Sequence, residues 1–294
     1  MANLKAIRIR ISSVKSTRQI TSAMKMVSAA KLRKAQDKIL RLKPYARKLQ
    51  EILAGLSQSL AEAEIENIYT RSASEEKILI VVITSNRGLC GAFNANVIKE
   101  SRRIVSEQYM KQFQKGNVSF LTIGKKGYDY LRKQHLNMLP ERNSLYNNLT
   151  FNNVSAVAED VMNSFLSGEY DRVLLVYNQF KNAAVQNLTT ELFLPVETVS
   201  ADAKGSVPTD YIYEPSAEEI IKELIPKSLK IQFYKAVLDS YVAEHGARMT
   251  AMHKATDNAT SMIRDLTLQY NKARQAAITN QILEVVSGAE ALKG

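Results

Sequence analysis

Both ends of the chain carry apolar residues at alternating spacings of three and four positions over very long stretches. Such spacing forms one stripe along an α-helix and is typical of coiled coils. At about 1.5 Å per residue, a helix over 4–60 would be about 85 Å long and one over 227–287 about 90 Å. The stripe positions are Leu4, Ile7, Ile11, Val14, Ile20, Met24, Val27, Ala35, Ile39, Leu42, Ala46, Leu49, Leu53, Leu56 and Leu60, then Ile231, Tyr234, Leu238, Tyr241, His245, Met249, Met252, Thr256, Ala259, Ile263, Leu266, Tyr270, Ala273 and Ala277.

The two predicted helices match in length and lie at opposite ends of one chain, so we predict that they pair antiparallel. If residues 60 and 227 lie level, the numbers of paired residues add up to about 287. That register places Pro44 opposite Ala243 and close to Gly246. Because proline in a helix interior removes a hydrogen bond and bends the helix, a shared local bend is one hypothesis, and coincidence is the alternative.

The segment between the helices alternates between strand and helix patterns. Strands are predicted at 77–84, 118–123, 172–180 and 184–195, and helices at 94–115 and 151–166, followed by a connection rich in proline and glycine at 205–215. This alternation indicates a Rossmann-like α/β domain inserted between the halves of a coiled coil. The predicted domains are an N-terminal coiled-coil helix over 1–62, an α/β domain over 75–215 and a C-terminal coiled-coil helix over 216–294.

The positive charge of the chain is concentrated in one segment. The formal net charge is +11, whereas residues 1–48 alone hold 14 basic side chains and one acidic side chain, Asp37, for a net +13. This excess predicts an acidic partner. Two interpretations of the segment stay open beside a structural helix: a mitochondrial presequence, which is also basic and poor in acids, and a nucleic-acid-binding surface. Sustained helical phase over nearly 60 residues argues against the first, and the lack of aromatic residues other than Tyr45 in this segment argues against the second.

The most enzyme-like feature is the glycine-containing turn TSNRGLCGAFN at 84–94, between a predicted strand and a helix. Nucleotides bind at such turns in doubly wound folds, but the turn lacks the complete glycine signatures of nucleotide-binding loops, so a structural turn is favoured over a nucleotide-dependent enzyme. The single cysteine, Cys90, excludes an internal disulfide, and the three histidines show no ligand spacing. His253 and Asp257 are spaced as a helix-surface pair. No cofactor and no metal are expected.

Several segments together resemble the gamma subunits of F-type ATP synthases over essentially the whole chain. The first is ISSVKSTRQIT at 11–21, followed by AMKMV at 23–27, and the second is SNRGLCG at 85–91. The third group is RMTAM at 248–252, ATDNA at 255–259 and YNKARQAAIT at 270–279. The turn departs from the family pattern at Asn86 and Ala92, where the family usually has Asp and Gly.

The resemblance implies a non-catalytic rotor subunit. Its coiled coil would sit inside a hexamer of alpha and beta subunits, its α/β domain would stand on the membrane c-type ring, and an epsilon subunit would accompany it. The resemblance places six residues at the catalytic ring: Met24, Lys25, Arg274, Gln275, Thr279 and Glu284. The predicted register puts Met24 beside residue 263, about one to two turns from Gln269, so we expect these residues to form one contact belt. It places Tyr211, Tyr213 and Glu214 at the membrane ring.

The resemblance also implies a location. The motif-bearing helix is expected to begin at residue 2 without a presequence, no paired cysteines suggest a redox-controlled chloroplast form, and no apolar run approaches the roughly 20 residues of a membrane span. We therefore expect a bacterial protein on the cytoplasmic face of the plasma membrane, bound peripherally and without membrane insertion. No nucleic-acid partner is expected.

Overall fold

A long helix lies at each end of the chain in the computed structural model, which describes residues 4–61, 68–69, 75–196 and 217–292. The first helix, α1, spans Leu4–Ala61, and the last, α6, spans Ala217–Ala291. Both predicted helices are therefore confirmed, although α6 begins ten residues before the predicted start. Pro44 and Pro226 lie inside α1 and α6, and neither proline ends its helix.

The elements between the long helices follow the predicted alternation. They are β1 (Ile78–Ile83), α2 (Phe93–Gln108), α3 (Met110–Gln114), β2 (Val118–Ile123), α4 (Lys125–Arg132), β3 (Asn137–Met138), a 3-10 helix (Asn143–Asn147), α5 (Phe151–Leu166), β4 (Arg172–Phe180) and β5 (Gln186–Leu194). The four predicted strands and the helix over 151–166 are confirmed. The helix predicted over 94–115 is divided into α2 and α3, while α4, β3 and the 3-10 helix were not predicted. The predicted connection at 205–215 lies outside the described residues.

The five strands form one sheet in the order β3-β2-β1-β4-β5, in which only β5 runs antiparallel. Every side chain of β1 and β2 is buried, as expected for central parallel strands covered by helices on both faces. One core cluster joins these strands to α2, through Val97, Ile104 and Val105. The α/β class predicted from the sequence is therefore confirmed.

The carboxyl ends of β1 and β2 approach each other closely, and this approach requires glycine. Gly124 has a φ of 114°, and a Cβ atom there would lie 2.1 Å from the carbonyl oxygen of Thr84. At Gly127 a Cβ atom would lie 2.8 Å from the Thr84 hydroxyl oxygen. The Thr84 hydroxyl uses this space to accept a hydrogen bond from the Gly127 N–H at 2.9 Å, which fixes the start of α4 against β1.

The described chain divides into two compact units, one of residues 1–29 and 248–294, the other of residues 30–247. The domain boundaries predicted from the sequence stay predictions. Inside the second unit, α6 packs on the α/β elements through aromatic pairs. Phe233 meets Phe193 edge to face at 5.5 Å between ring centroids, and Tyr241 stacks on Tyr146 at 5.8 Å. Because nearly every residue of α6 over 229–247 is buried or half-buried, this stretch is enclosed on all sides rather than along one stripe.

Candidate functional site: the paired chain ends

The unit of residues 1–29 and 248–294 is a pair of antiparallel helix segments. Three cross-helix contacts define it. Arg8 donates a hydrogen bond to the Tyr270 hydroxyl at 2.7 Å, the hydroxyl oxygens of Thr21 and Thr256 lie 2.8 Å apart, and Lys25 Nζ lies 3.4 Å from His253 Nδ1. As the residue number rises on α1 it falls on α6, which confirms the predicted antiparallel pairing.

The register of this pair differs from the predicted one. The numbers of contacting residues add up to 277 or 278 in all three contacts, not to about 287. The difference corresponds to the ten residues by which α6 begins earlier than predicted, since the predicted register assumed an inner end at 227. Any given residue of α1 therefore faces a position about 14 Å nearer the start of α6 than expected.

The buried stripe of α1 also differs from the predicted one at two positions. Ile20 and Val27 are 60% and 57% exposed. Thr21 and Ser28 are buried instead, and their hydroxyls donate to the helix carbonyls of Arg18 and Met24. With these two residues the partly or fully buried positions keep spacings of three and four without interruption: Leu4, Ile7, Ile11, Val14, Arg18, Thr21, Lys25, Ser28, Leu32, Ala35, Ile39, Leu42, Ala46 and Leu49.

The facing stripe on α6 is the predicted one. Met252, Ala259 and Leu266 are buried, while Thr256, Ile263, Tyr270, Ala273 and Ala277 are half-buried. The Thr21–Thr256 contact is polar and lies within this otherwise mostly apolar seam. Since a polar pair in a seam disfavours alternative registers, this contact helps to fix the alignment of the two helices.

The end of α6 extends beyond the start of α1. In the observed register Leu4 faces Arg274, so the residues from 275 onward have no α1 residue opposite them. Every side chain over 275–292 except Ala277 is exposed, including the apolar Ile282, Leu283 and Val285. Among the described residues of this stretch, no contact to α1 covers these apolar groups, and exposed apolar groups on one helix end are typical of a surface that binds a partner.

The six residues predicted to meet the catalytic ring fall into two groups. Met24 and Lys25 are half-buried and face residues 253 and 254, whereas Arg274, Gln275, Thr279 and Glu284 are exposed near the tip of α6. About 20 residues of helix, or about 30 Å, separate the two groups. The prediction of one contact belt is therefore wrong in its geometry, because it rested on the register with the sum of 287.

The group around Lys25 contains a side-chain network that the sequence indicated only in part. Besides its contact to Lys25, His253 Nδ1 lies 3.4 Å from a carboxylate oxygen of Asp257, as its spacing predicted. At the tip, the Thr279 hydroxyl donates to the Gln275 carbonyl at 3.0 Å within the helix.

The residues predicted to meet the membrane ring, Tyr211, Tyr213 and Glu214, lie outside the described residues.

The turn at 84–94 is held by hydrogen bonds within it and by hydrogen bonds from the start of α4. The first N–H groups of α4, which would otherwise be free to bind a phosphate, donate to this turn: Lys125 to Asn86 Oδ1, Lys126 to the Ser85 carbonyl and Gly127 to the Thr84 hydroxyl. Cys90 is 1% exposed, and Asn94 donates to its sulfur at 3.3 Å. These contacts favour the structural interpretation of the turn.

In the described part of the chain, no cluster of His, Cys, Asp or Glu is placed to hold a metal ion.

The fold and the paired ends define a class of protein in which the two ends of one chain form a helical shaft and the middle forms an α/β domain. Within the described residues, no helix is long and apolar enough to cross a membrane. The ATP synthase family profile matches residues 3–292. The gamma chain of Flavobacterium johnsoniae ATP synthase is 58% identical over the full length of both chains, and that of Chloroherpeton thalassium is 46% identical over 100% of this chain and 99% of its own.

This chain belongs to the family of ATP synthase gamma chains. The predicted gamma-type, non-catalytic stalk subunit is thereby confirmed, and the family membership decides against the nucleic-acid-binding and nucleotide-dependent enzyme classes. Solved structures show the same fold. One chain of the Euglena gracilis mitochondrial ATP synthase aligns with a TM-score of 0.68 at 23% identity, covering 98% of this chain and 94% of its own. A chain from the Tetrahymena thermophila mitochondrial central stalk and c-ring aligns with a TM-score of 0.57 at 24% identity, covering 80% and 99%.

Proposed function

We propose that this chain is the central rotor shaft of a bacterial F-type ATP synthase. It couples ion-driven rotation of the membrane c-type ring to ATP synthesis or hydrolysis in the hexamer of alpha and beta subunits, and an epsilon subunit turns with it. The chain contributes no catalytic residue. The observation that carries the proposal is the antiparallel helix pair with an exposed single-helix tip, in a chain of this family.

The physical basis of the coupling is differential contact. A pair of unlike helices has no threefold symmetry, so it presents a different surface to each of three chemically identical catalytic subunits. A partner shifts a conformational equilibrium only by binding its states with different free energies. Each orientation of the shaft therefore assigns a different nucleotide affinity to each catalytic subunit, and rotation changes these assignments in sequence.

The charge of α1 suits this role. Residues 1–48 carry a net charge of +13, and most of their basic side chains are exposed. A sleeve with an acidic lining would attract such a surface over its whole circumference. Electrostatic attraction between exposed groups depends only weakly on the exact positions of the charges. It can therefore hold the shaft in the sleeve without fixing a single rotational orientation.

Met24, Lys25, Arg274, Gln275, Thr279 and Glu284 form two proposed contact zones with the catalytic ring, at the two levels of the shaft. The exposed apolar residues of the tip would be covered by the upper part of the ring. Tyr211, Tyr213 and Glu214 are proposed to meet the membrane ring. The proposed location is the cytoplasmic face of the bacterial plasma membrane, where the subunit is bound peripherally.

A rotation assay tests the proposal. Lys111 is exposed on α3, so a bead can be attached to the thiol of Lys111→Cys. The buried Cys90 does not compete for this thiol-specific attachment. With the complex fixed to a surface through its alpha and beta subunits, ATP should drive unidirectional rotation of the bead. ATP hydrolysis at a normal rate with a stationary bead would contradict the rotor role.

Charge reversal tests the two contact zones. The substitutions Lys25→Glu and Arg274→Glu should lower ATP synthesis more than ATP hydrolysis, because they place like charge against an acidic partner surface. For Arg274→Glu the unfolding free energy of the chain should change by less than about 0.5 kcal/mol, as is usual for exposed substitutions. Lys111→Glu is the matched control and should leave both activities unchanged. Equal activity of all three variants would remove Lys25 and Arg274 from the proposed contacts.

A further inference from the structure

The outer surface of the α/β domain contains a groove between α2 and α4 that the shaft function does not use. Its volume is about 730 Å³. The α2–α4 groove is lined by Asn94, Ala95, Ile98, Lys99, Arg102, Arg103, Ser106, Lys126 and Tyr130. Four of these nine side chains are basic and none is acidic, although the chain outside residues 1–48 has a net charge of −2. The groove is therefore a local concentration of positive charge.

Three of the four basic side chains form no ion pair with a carboxylate in the described part of the chain: Lys99, Arg102 and Lys126. Arg102 donates a 3.3 Å hydrogen bond to the Tyr130 hydroxyl, which is neutral. Arg103 differs, because it is paired with Glu100 at 2.6 Å and with Glu107 at 2.8 Å. These two carboxylates are thus engaged on their own helix, and the groove keeps three uncompensated positive charges.

The base of the groove is less polar than its rim. Ile98 is only 8% exposed and belongs to the core cluster under α2, and Ala95 lies one turn before it. Tyr130 presents a ring that is 40% exposed on the opposite wall. An occupant that fits this lining has apolar side chains toward Ile98 and Ala95 and negative charges toward Lys99, Arg102 and Lys126.

The lining also indicates which kind of negatively charged group the groove binds. At the α4 wall a phosphate would find no free backbone N–H group, because the first N–H groups of α4 are already bonded to residues 84–86. Stacking of nucleic-acid bases needs several aromatic platforms, whereas Tyr130 is the one aromatic residue of the lining. A protein segment can meet both requirements, because its carboxylates can pair with the dispersed positive charges and its apolar side chains can pack on the apolar base.

We propose that the α2–α4 groove is a docking site for an amphipathic acidic segment of another protein. The segment places carboxylates against Lys99, Arg102 and Lys126 and apolar side chains on Ile98 and Ala95. The site consists of residues of α2 and α4 alone, and it goes beyond the rotor function, since rotation of the shaft inside a sleeve does not require this surface.

Photochemical cross-linking in the assembled complex tests the proposal. Ser106 is exposed in the wall of the groove, so a photoreactive p-benzoylphenylalanine placed there reaches an occupant. The complex is irradiated in native membranes, and the product is identified by mass spectrometry. We expect one cross-linked segment from another protein that carries at least two carboxylates next to apolar residues.

The dependence on charge is then measured. Raising the salt concentration from about 0.1 M to about 1 M shortens the screening length from about 10 Å to about 3 Å, so the cross-linking yield should fall several-fold. Lys99→Glu and Lys126→Glu should lower it at least as much, and Lys99→Gln and Lys126→Gln, which cannot repel an acidic segment, should lower it less. Lys111→Glu is the control with the same charge change outside the groove and should not lower the yield.

Several outcomes would overturn the proposal. These are the absence of any cross-linked protein, a cross-linked segment without carboxylates, a lipid or nucleic-acid product, and a yield that neither salt nor charge reversal changes. A rotation assay on the same preparation separates this result from the rotor function, because a complex that rotates but gives no cross-linked segment with the unaltered groove residues rejects only the docking proposal.

Discussion

Two leucines of α6, two positions apart, allow a direct test of the observed helix pairing. Leu266 is 6% exposed and lies in the seam with α1, whereas Leu268 is 56% exposed on the same helix. The substitution Leu→Ala removes three carbon atoms at either site and hardly changes helix propensity. At about 0.8 kcal/mol for each buried methylene-sized group, Leu266→Ala should destabilise the pair by about 2.5 kcal/mol, near the lower end of measured core substitutions. Leu268→Ala should cost less than about 0.5 kcal/mol.

Hydrogen exchange of the full chain measures this difference locally. A loss of about 2.5 kcal/mol corresponds to about 70-fold faster exchange if the amides exchange by local opening of the pair. We therefore expect this acceleration in peptides covering 256–274 and in the facing part of α1 for Leu266→Ala. Exchange in β1, β2 and β4 serves as the internal control and should not change. Equal acceleration by both substitutions, or none by Leu266→Ala, would refute the observed seam.

Three further predictions concern the tip, the seam and the sheet. Deleting 286–294 should leave assembly and substantial ATP synthesis intact, whereas deleting 263–294 should abolish synthesis because it removes the seam opposite the start of α1; loss of synthesis after the short deletion, with normal assembly, would show that the tip itself transmits torque. Tyr270→Phe removes the acceptor of the Arg8 hydrogen bond and should lower the melting temperature of the chain, while an unchanged melting temperature would assign that bond no role. Gly124→Ala should prevent normal folding of the α/β domain, visible as loss of soluble, protease-resistant protein, because its Cβ would lie 2.1 Å from a backbone oxygen; a fully stable variant would contradict the close approach.

The sequence by itself determined the elements that depend on local periodicity. The spacings of three and four on α6 predicted its seam, and a continuous apolar run predicted β1, since a strand buried on both faces leaves no other pattern. The short elements α4 and β3 escaped prediction, because eight and two residues are too few to show a period. Segment resemblance, rather than any arrangement of catalytic groups, identified the family.

Only the tertiary structure decided the alignment of the two helices and the phase of α1. The last helix was predicted from residue 227, but it begins at Ala217 and includes Pro226, and the register moves by about ten residues. Thr21 and Ser28 looked unsuitable for a seam, yet their hydroxyls bond to carbonyls of their own helix, and so their burial leaves no donor unpaired. In α1 the apolar pattern therefore did not identify every residue that faces α6, because the partner helix decides which side chains lose contact with water.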